Sequence, residues 1–126
     1  MPQIILEYTS NLPDPEEKPL LLSIHRVLQN TASISIENCK SRILKQDRFL
    51  IGEGESDRAF VHLQVRFLEG RKEEVKEAVG KRLLELLDLH FQTDSECRLQ
   101  ITVELSDIKR AAYFKRSQPP DQTSGR

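Results

Sequence analysis

Pro2 is the residue of this chain best placed for unusual chemistry. It stands directly behind the initiator methionine and directly ahead of an apolar run, in MPQIILEY. A small second residue commonly allows the initiator methionine to be clipped, which here would leave the ring nitrogen of Pro2 as a free secondary amine. An α-amino group has a reference pKa of about 7.7–8.0, so a modest downward shift leaves it mostly neutral at pH 7, able to accept a proton and return it. Partial burial and neighbouring cations both push in that direction. A purely structural role is also open. Proline brings no backbone N–H to a sheet ladder but is tolerated as the first residue of a strand, so Pro2 can simply open one.

The other reactive side chains read as structural. His62 falls inside a strand, where a packed, hydrogen-bonded imidazole is the ordinary explanation, and His25 and His90 fall on helices. Cys39 and Cys97 lie far apart and lack CxxC or Cys/His spacing, so they read as reduced, buried thiols rather than a metal site or a disulfide. No phosphate-binding glycine loop, zinc spacing, nucleophile elbow or aromatic-basic interleaving is present.

The elements that must position Pro2 repeat one unit twice. Residues 4–8, IILEY, read as a strand, and the following NLPDPEEKP has too many prolines for a sheet interior. From about Glu16 to Asn30, Leu20, Leu21, Ile24, Val27 and Leu28 recur at helical spacing, with Pro19 tolerable in the first turn. The segment ASISIENCKSRILK then alternates Ile34 and Ile36 with serines and predicts a strand buried on one face. After the turn IGEGESD the pattern restarts. AFVHLQVRFL sets Ala59, Val61, Leu63, Val65 and Phe67 against Phe60, His62, Gln64 and Arg66. In EEVKEAVGKRLLELLDLHF, Val75, Val79, Leu83, Leu86 and His90 mark a helical stripe flanked by Leu84, Leu87 and Phe91. Finally CRLQITVEL alternates Leu99, Ile101, Val103 and Leu105 with Arg98, Gln100, Thr102 and Glu104.

Right-handed crossovers make each β-α-β unit a parallel strand pair with its helix on one face. The expected fold is therefore α+β: a four-stranded mixed sheet with both helices on the same side. Its other face carries His62, Gln64, Arg66, Gln100, Thr102 and Glu104 among Ile5, Phe60 and Leu68. Such a face either meets water or lines the interior of an oligomer.

A chain of 126 residues makes one domain, expected over 1–116, with 117–126 (SQPPDQTSGR) too polar and proline-rich to order itself. The formal charge of -1, from 19 Lys+Arg against 20 Asp+Glu, gives no net basic field for nucleic acid or an anionic membrane, so any bound anion must be held locally. Apolar runs peak at the LLL of residues 20–22, far short of the roughly 20 residues of a membrane helix. With no signal peptide in view, a cytoplasmic protein is expected.

MPQIILEY at the start, KSR at 40–42, AFVHLQVRFLEGR at 59–71, LLELLDLHF at 83–91 and YFK at 113–115 occur in an order and spacing that span most of the chain. In these the sequence resembles the 5-carboxymethyl-2-hydroxymuconate isomerase family of the tautomerase superfamily. The resemblance implies a homotrimer of β-α-β-β-α-β subunits, with sheets around the three-fold axis and helices outside. It also implies a cofactor-free enzyme in which the processed N-terminal proline moves a proton between a dienol and its unsaturated ketone, in the degradation of aromatic rings.

Pro2 falls on the family's base. Two arginine positions that bind substrate carboxylates or polarise the keto oxygen fall on Arg71 and on Lys40, where this chain has lysine. Arg42, two residues from Lys40 on the same strand face, can substitute for the missing arginine. These cations would both hold a small anionic substrate and lower the pKa of the amine, and the helix that begins after Arg71 adds its own preference for an anion. Two rivals remain open. One is another proline-dependent chemistry of the superfamily, such as decarboxylation, hydration or dehalogenation; the other is a trimeric binding or structural protein that has lost the reaction.

Overall fold

The two central strands are built on strict alternation. In β1 (Gln3–Thr9), Ile4, Leu6 and Tyr8 are buried while Gln3, Ile5 and Glu7 are half-exposed. In β3 (Arg58–Leu68), Ala59, Val61, Leu63, Val65 and Phe67 are buried in the same way. The computed structural model describes residues 1–119, so most of the tail expected at 117–126 lies outside the described residues. Around β1 and β3 the sheet adds β2 (Lys40–Gln46) and β4 (Arg98–Ile108) in the order β2-β1-β3-β4. Both outer pairs are parallel and the central β1/β3 pair is antiparallel, which is the expected joining of two β-α-β units.

Helices α1 (Glu17–Ala32) and α2 (Glu73–His90) cover one face. Leu20, Ile24 and Leu28 of α1 and Val79, Leu83 and Leu87 of α2 are fully buried against the inward residues of β1 and β3. The α2 stripe runs on through Leu87 to Phe91, whose ring centroid lies 5.6 Å from that of Tyr8, instead of drifting to Leu86 and His90. Burying each such side chain contributes roughly 1.5–3 kcal/mol, so the shared core is what fixes the sheet under both helices. Tyr8 satisfies its hydroxyl by donating to Asp14 Oδ1 at 2.7 Å, and burial with that carboxylate pushes its pKa up to about 12.

One expected strand is corrected. Ile34 and Ile36 do not lie in β2, which begins at Lys40. Ser33 takes a left-handed conformation (φ 55), ending α1, and Ile34 donates its N–H back to Leu28 O at 3.3 Å. Ile34 is buried under this cap, and Ile36–Asn38 form a 3-10 turn. The serine–isoleucine alternation was thus a helix stop followed by an apolar contact, a combination that mimics a period of two. The two cysteines are free but only half-buried.

The second face is polar, as expected. His62 Nδ1 lies 2.6 Å from Thr102 Oγ1 and its Nε2 lies 3.3 Å from Glu104 Oε1, which accounts for both ring nitrogens. Among the described residues no helix is long and apolar enough to cross a membrane.

Candidate active site

At the end of the sheet where β1 begins and β3 stops, a cleft of about 450 Å³ opens between the α1–β2 connection and the chain that follows β4. Met1, Asn38, Phe67, Arg71, Tyr113 and Lys115 are among the residues that line it, and none of its lining residues is acidic.

Pro2 is buried and enters β1 in fixed register, its carbonyl accepting from the Lys40 N–H at 3.2 Å. The Met1 amine projects into the cleft, donating to Asn38 O at 3.2 Å. Lys40 Nζ donates to the same carbonyl at 3.2 Å, so two cations share one acceptor. The pKa of the amine is held below its ordinary value, chiefly by burial and then by the charges of Lys40 and Lys115. Pro2 follows directly behind Met1 and is buried.

Arg71 is aimed by the turn between β3 and α2. Gly70 takes φ 117, a conformation side chains rarely adopt, and this turns the chain so that Arg71 folds back over the end of β3. Its Nη1 donates to Leu68 O at 2.9 Å and its guanidinium lies 5.0 Å from the Phe67 ring centroid. Among the described residues its Nε is buried without a hydrogen-bond partner. Burial, followed by the nearby charge of Arg110, lowers the Arg71 pKa, against the smaller opposing effect of Asp107, which Lys76 Nζ contacts at 2.7 Å. A buried donor left unmatched costs about 1–3 kcal/mol, so an acceptor at this Nε would be stabilising.

The expected residues are thus partly gathered. Arg71 lines the cleft, Pro2 lies buried directly behind the lining residue Met1, and Lys40 stands beside it through Asn38. Arg42 lies on the outward face, where its Nη1 and Nη2 donate to Gln3 Oε1 at 2.8 and 2.9 Å. The histidines are elsewhere: His25 Nε2 contacts Ser41 Oγ at 2.8 Å beneath α1, and His62 faces β4. Sequence reasoning missed Tyr113 and Lys115 as lining residues. They follow the last strand in irregular chain, with no periodicity to place them, and YFK was legible only as a family signal.

A larger cleft, of about 670 Å³, lies at the opposite end of the sheet, between α2 and the start of β4. It is lined by Glu85, Asp88, Phe91 and Cys97 among others, and by no cation.

A four-stranded sheet of two β-α-β units with both helices on one face is a tautomerase-type fold. A fused 4-OT symmetric trimer shares this fold at a TM-score of 0.75 and 16% identity, over 98% of this chain and 99% of that one. A 5-carboxymethyl-2-hydroxymuconate isomerase from Deinococcus radiodurans R1 superposes at a TM-score of 0.83 with 31% identity, over 93% of this chain and 90% of that one. The 5-carboxymethyl-2-hydroxymuconate Delta-isomerase of Escherichia coli is 27% identical over 119 residues, 93% of this chain and 94% of its own. The sequence profile of 5-carboxymethyl-2-hydroxymuconate isomerase matches residues 2–119, and the chain belongs to that family of isomerases.

Proposed function

We propose that this isomerase uses the Pro2 nitrogen, freed by removal of Met1, as the base that moves a proton within a small unsaturated hydroxy polycarboxylic acid of the 5-carboxymethyl-2-hydroxymuconate type, formed in aromatic catabolism. The observation that carries this is the buried, unmatched Nε of Arg71 in a cleft that also holds the N-terminal amine. Arg71 and Lys40 take carboxylate groups of the substrate. The neutral amine removes the enol proton as the oxygen becomes a carbonyl, and returns it to a carbon further along the conjugated chain. Nothing is oxidised and no group leaves.

The neutral nitrogen that isomerisation needs is favoured by burial and by Lys40 and Lys115 at the Met1 amine, next to Pro2, whereas decarboxylation, hydration or dehalogenation would use the cation. A homotrimer accounts for the polar second face and for two sheet edges, β2 and β4, that lack partners among the described residues of one chain. The test is turnover of a dienol dicarboxylate by Pro2→Ala, with a fall of orders of magnitude and an intact fold as the expected result. Turnover at the parent rate would remove the proline from the mechanism.

A further inference from the structure

A chain of hydrogen bonds runs from the outward face of the sheet into the wall of this cleft. Arg42 donates through Nη1 and Nη2 to Gln3 Oε1, and Gln3 Nε2 donates to the Tyr113 hydroxyl oxygen at 3.3 Å. The chain has only one consistent polarity. A guanidinium carries donors and no acceptor, so the Gln3 amide must turn its oxygen to Arg42 and its NH₂ to Tyr113. Tyr113 is therefore an acceptor in this bond, and its own proton is left to be donated elsewhere. Among the described residues nothing accepts it, and Tyr113 lines the cleft beside Met1 and Arg71.

We propose that the Tyr113 hydroxyl donates a hydrogen bond to the substrate oxygen that passes from enol to ketone. The proposal rests on Pro2 as the base. When the amine takes the enol proton, negative charge develops on that oxygen, and a donor already oriented toward it stabilises the charge without reorganising. Gln3 and Arg42 are positioning residues, fixing which way the hydroxyl points. Because donation into the phenol oxygen from Gln3, itself polarised by Arg42, strengthens the hydrogen bond that the hydroxyl donates, the chain acts as a unit. This also gives Arg42 work that is distinct from holding a carboxylate.

The segment carrying Tyr113 is tied down independently of this bond. Arg110 N donates to Glu69 Oε2 at 2.8 Å, and the Arg110–Ala112 turn follows directly after β4. Tyr113→Phe therefore keeps the ring in place while removing the proton.

The experiment measures kcat and KM on a dienol dicarboxylate, and binding of unreactive cis,cis-muconate, for Tyr113→Phe, Arg42→Met and the double variant. Tyr113→Phe is expected to lower kcat on the order of a hundredfold, with KM and muconate binding within about twofold of the parent. Arg42→Met is expected to lower kcat by about tenfold, and to add nothing on the Tyr113→Phe background. Parent-like kcat in Tyr113→Phe, additive losses in the double variant, or a kcat loss matched by lost muconate binding would each overturn the assignment while leaving Pro2 as the base. Unchanged turnover in Pro2→Ala would instead remove the base itself, and the Tyr113 assignment with it.

Discussion

The two clefts at opposite ends of the sheet differ in a way that size does not explain. The larger one, about 670 Å³, presents Glu85 and Asp88 to solvent and no cation. The smaller, about 450 Å³, has no acidic lining residue and collects the N-terminal amine, Arg71 and Lys115, with Lys40 alongside. Only the second pays the electrostatic cost of crowding like charges, and among the described residues only there is a guanidinium N–H buried unmatched. Positive charge gathered in a partly desolvated cleft with no acidic lining residue favours an anion, whereas volume alone specifies nothing.

The largest effect expected within this comparison belongs to Arg71. Arg71→Met, which keeps the packing on Phe67 but removes the charge, should lower kcat/KM by roughly a hundredfold to a thousandfold. Charge-assisted hydrogen bonds contribute roughly 1.5–3 kcal/mol each, and the guanidinium can make two to a carboxylate. Steady-state kinetics on a dienol dicarboxylate checks it, and a loss under threefold would make Arg71 a solvated turn residue.

Lys40 should matter less, because an ammonium gives the substrate charge without a planar fork. Lys40→Ala is expected to cost about tenfold to a hundredfold in kcat/KM, while Lys40→Arg leaves it level or improves it. The pH profile sharpens this. In the proposed mechanism the neutral amine is the active form, so kcat/KM is expected to rise with pH through the amine pKa. Removing Lys40 deletes one cause of the lowering seen at Met1, and should move that rise to higher pH. The same depression makes the unfolded chain bind the extra proton, so this group's contribution to stability falls as pH drops from the ordinary amine value through the lowered one.

The smallest effect is expected at the other cleft. Glu85→Gln and Asp88→Asn, together, should leave kcat and KM within about twofold of the parent, as exposed substitutions remote from the reaction usually do. A tenfold change would mean that the acidic cleft takes part and that the contrast between the two ends is wrong.

Much of this was legible before the structure. β3 and β4 alternate so regularly that their faces, and the position of His62 on the outer one, followed from period two alone. Pro2 raised the question of a base by its place behind Met1, whereas Arg71 came forward only through the family resemblance, because a GRK turn by itself reads as solvated. Ile34 and Ile36 misled because a left-handed Ser33 cap has no sequence mark that separates it from a strand of alternating serine and isoleucine. Tyr113 and Lys115 were hidden for another reason. Their place depends on where the chain goes after β4, which long-range contacts such as Gln3 to Tyr113 decide and no local pattern encodes. Arg42 was legible as a cation near Lys40, but its engagement with Gln3 needed the parallel register that sets Ile5 opposite Arg42.

The most direct test of the central claim is the chemical state of the N-terminus. Intact mass of the protein made in cells, followed by peptide mapping after treatment with a small acetylenic acid, reads it in one series. The account predicts loss of Met1 and a single adduct on the Pro2 nitrogen, suppressed when a dicarboxylate occupies the cleft. A retained Met1 would leave the Pro2 nitrogen an amide with no basicity, and that result, or an adduct formed only at Cys39 or Cys97, would contradict it.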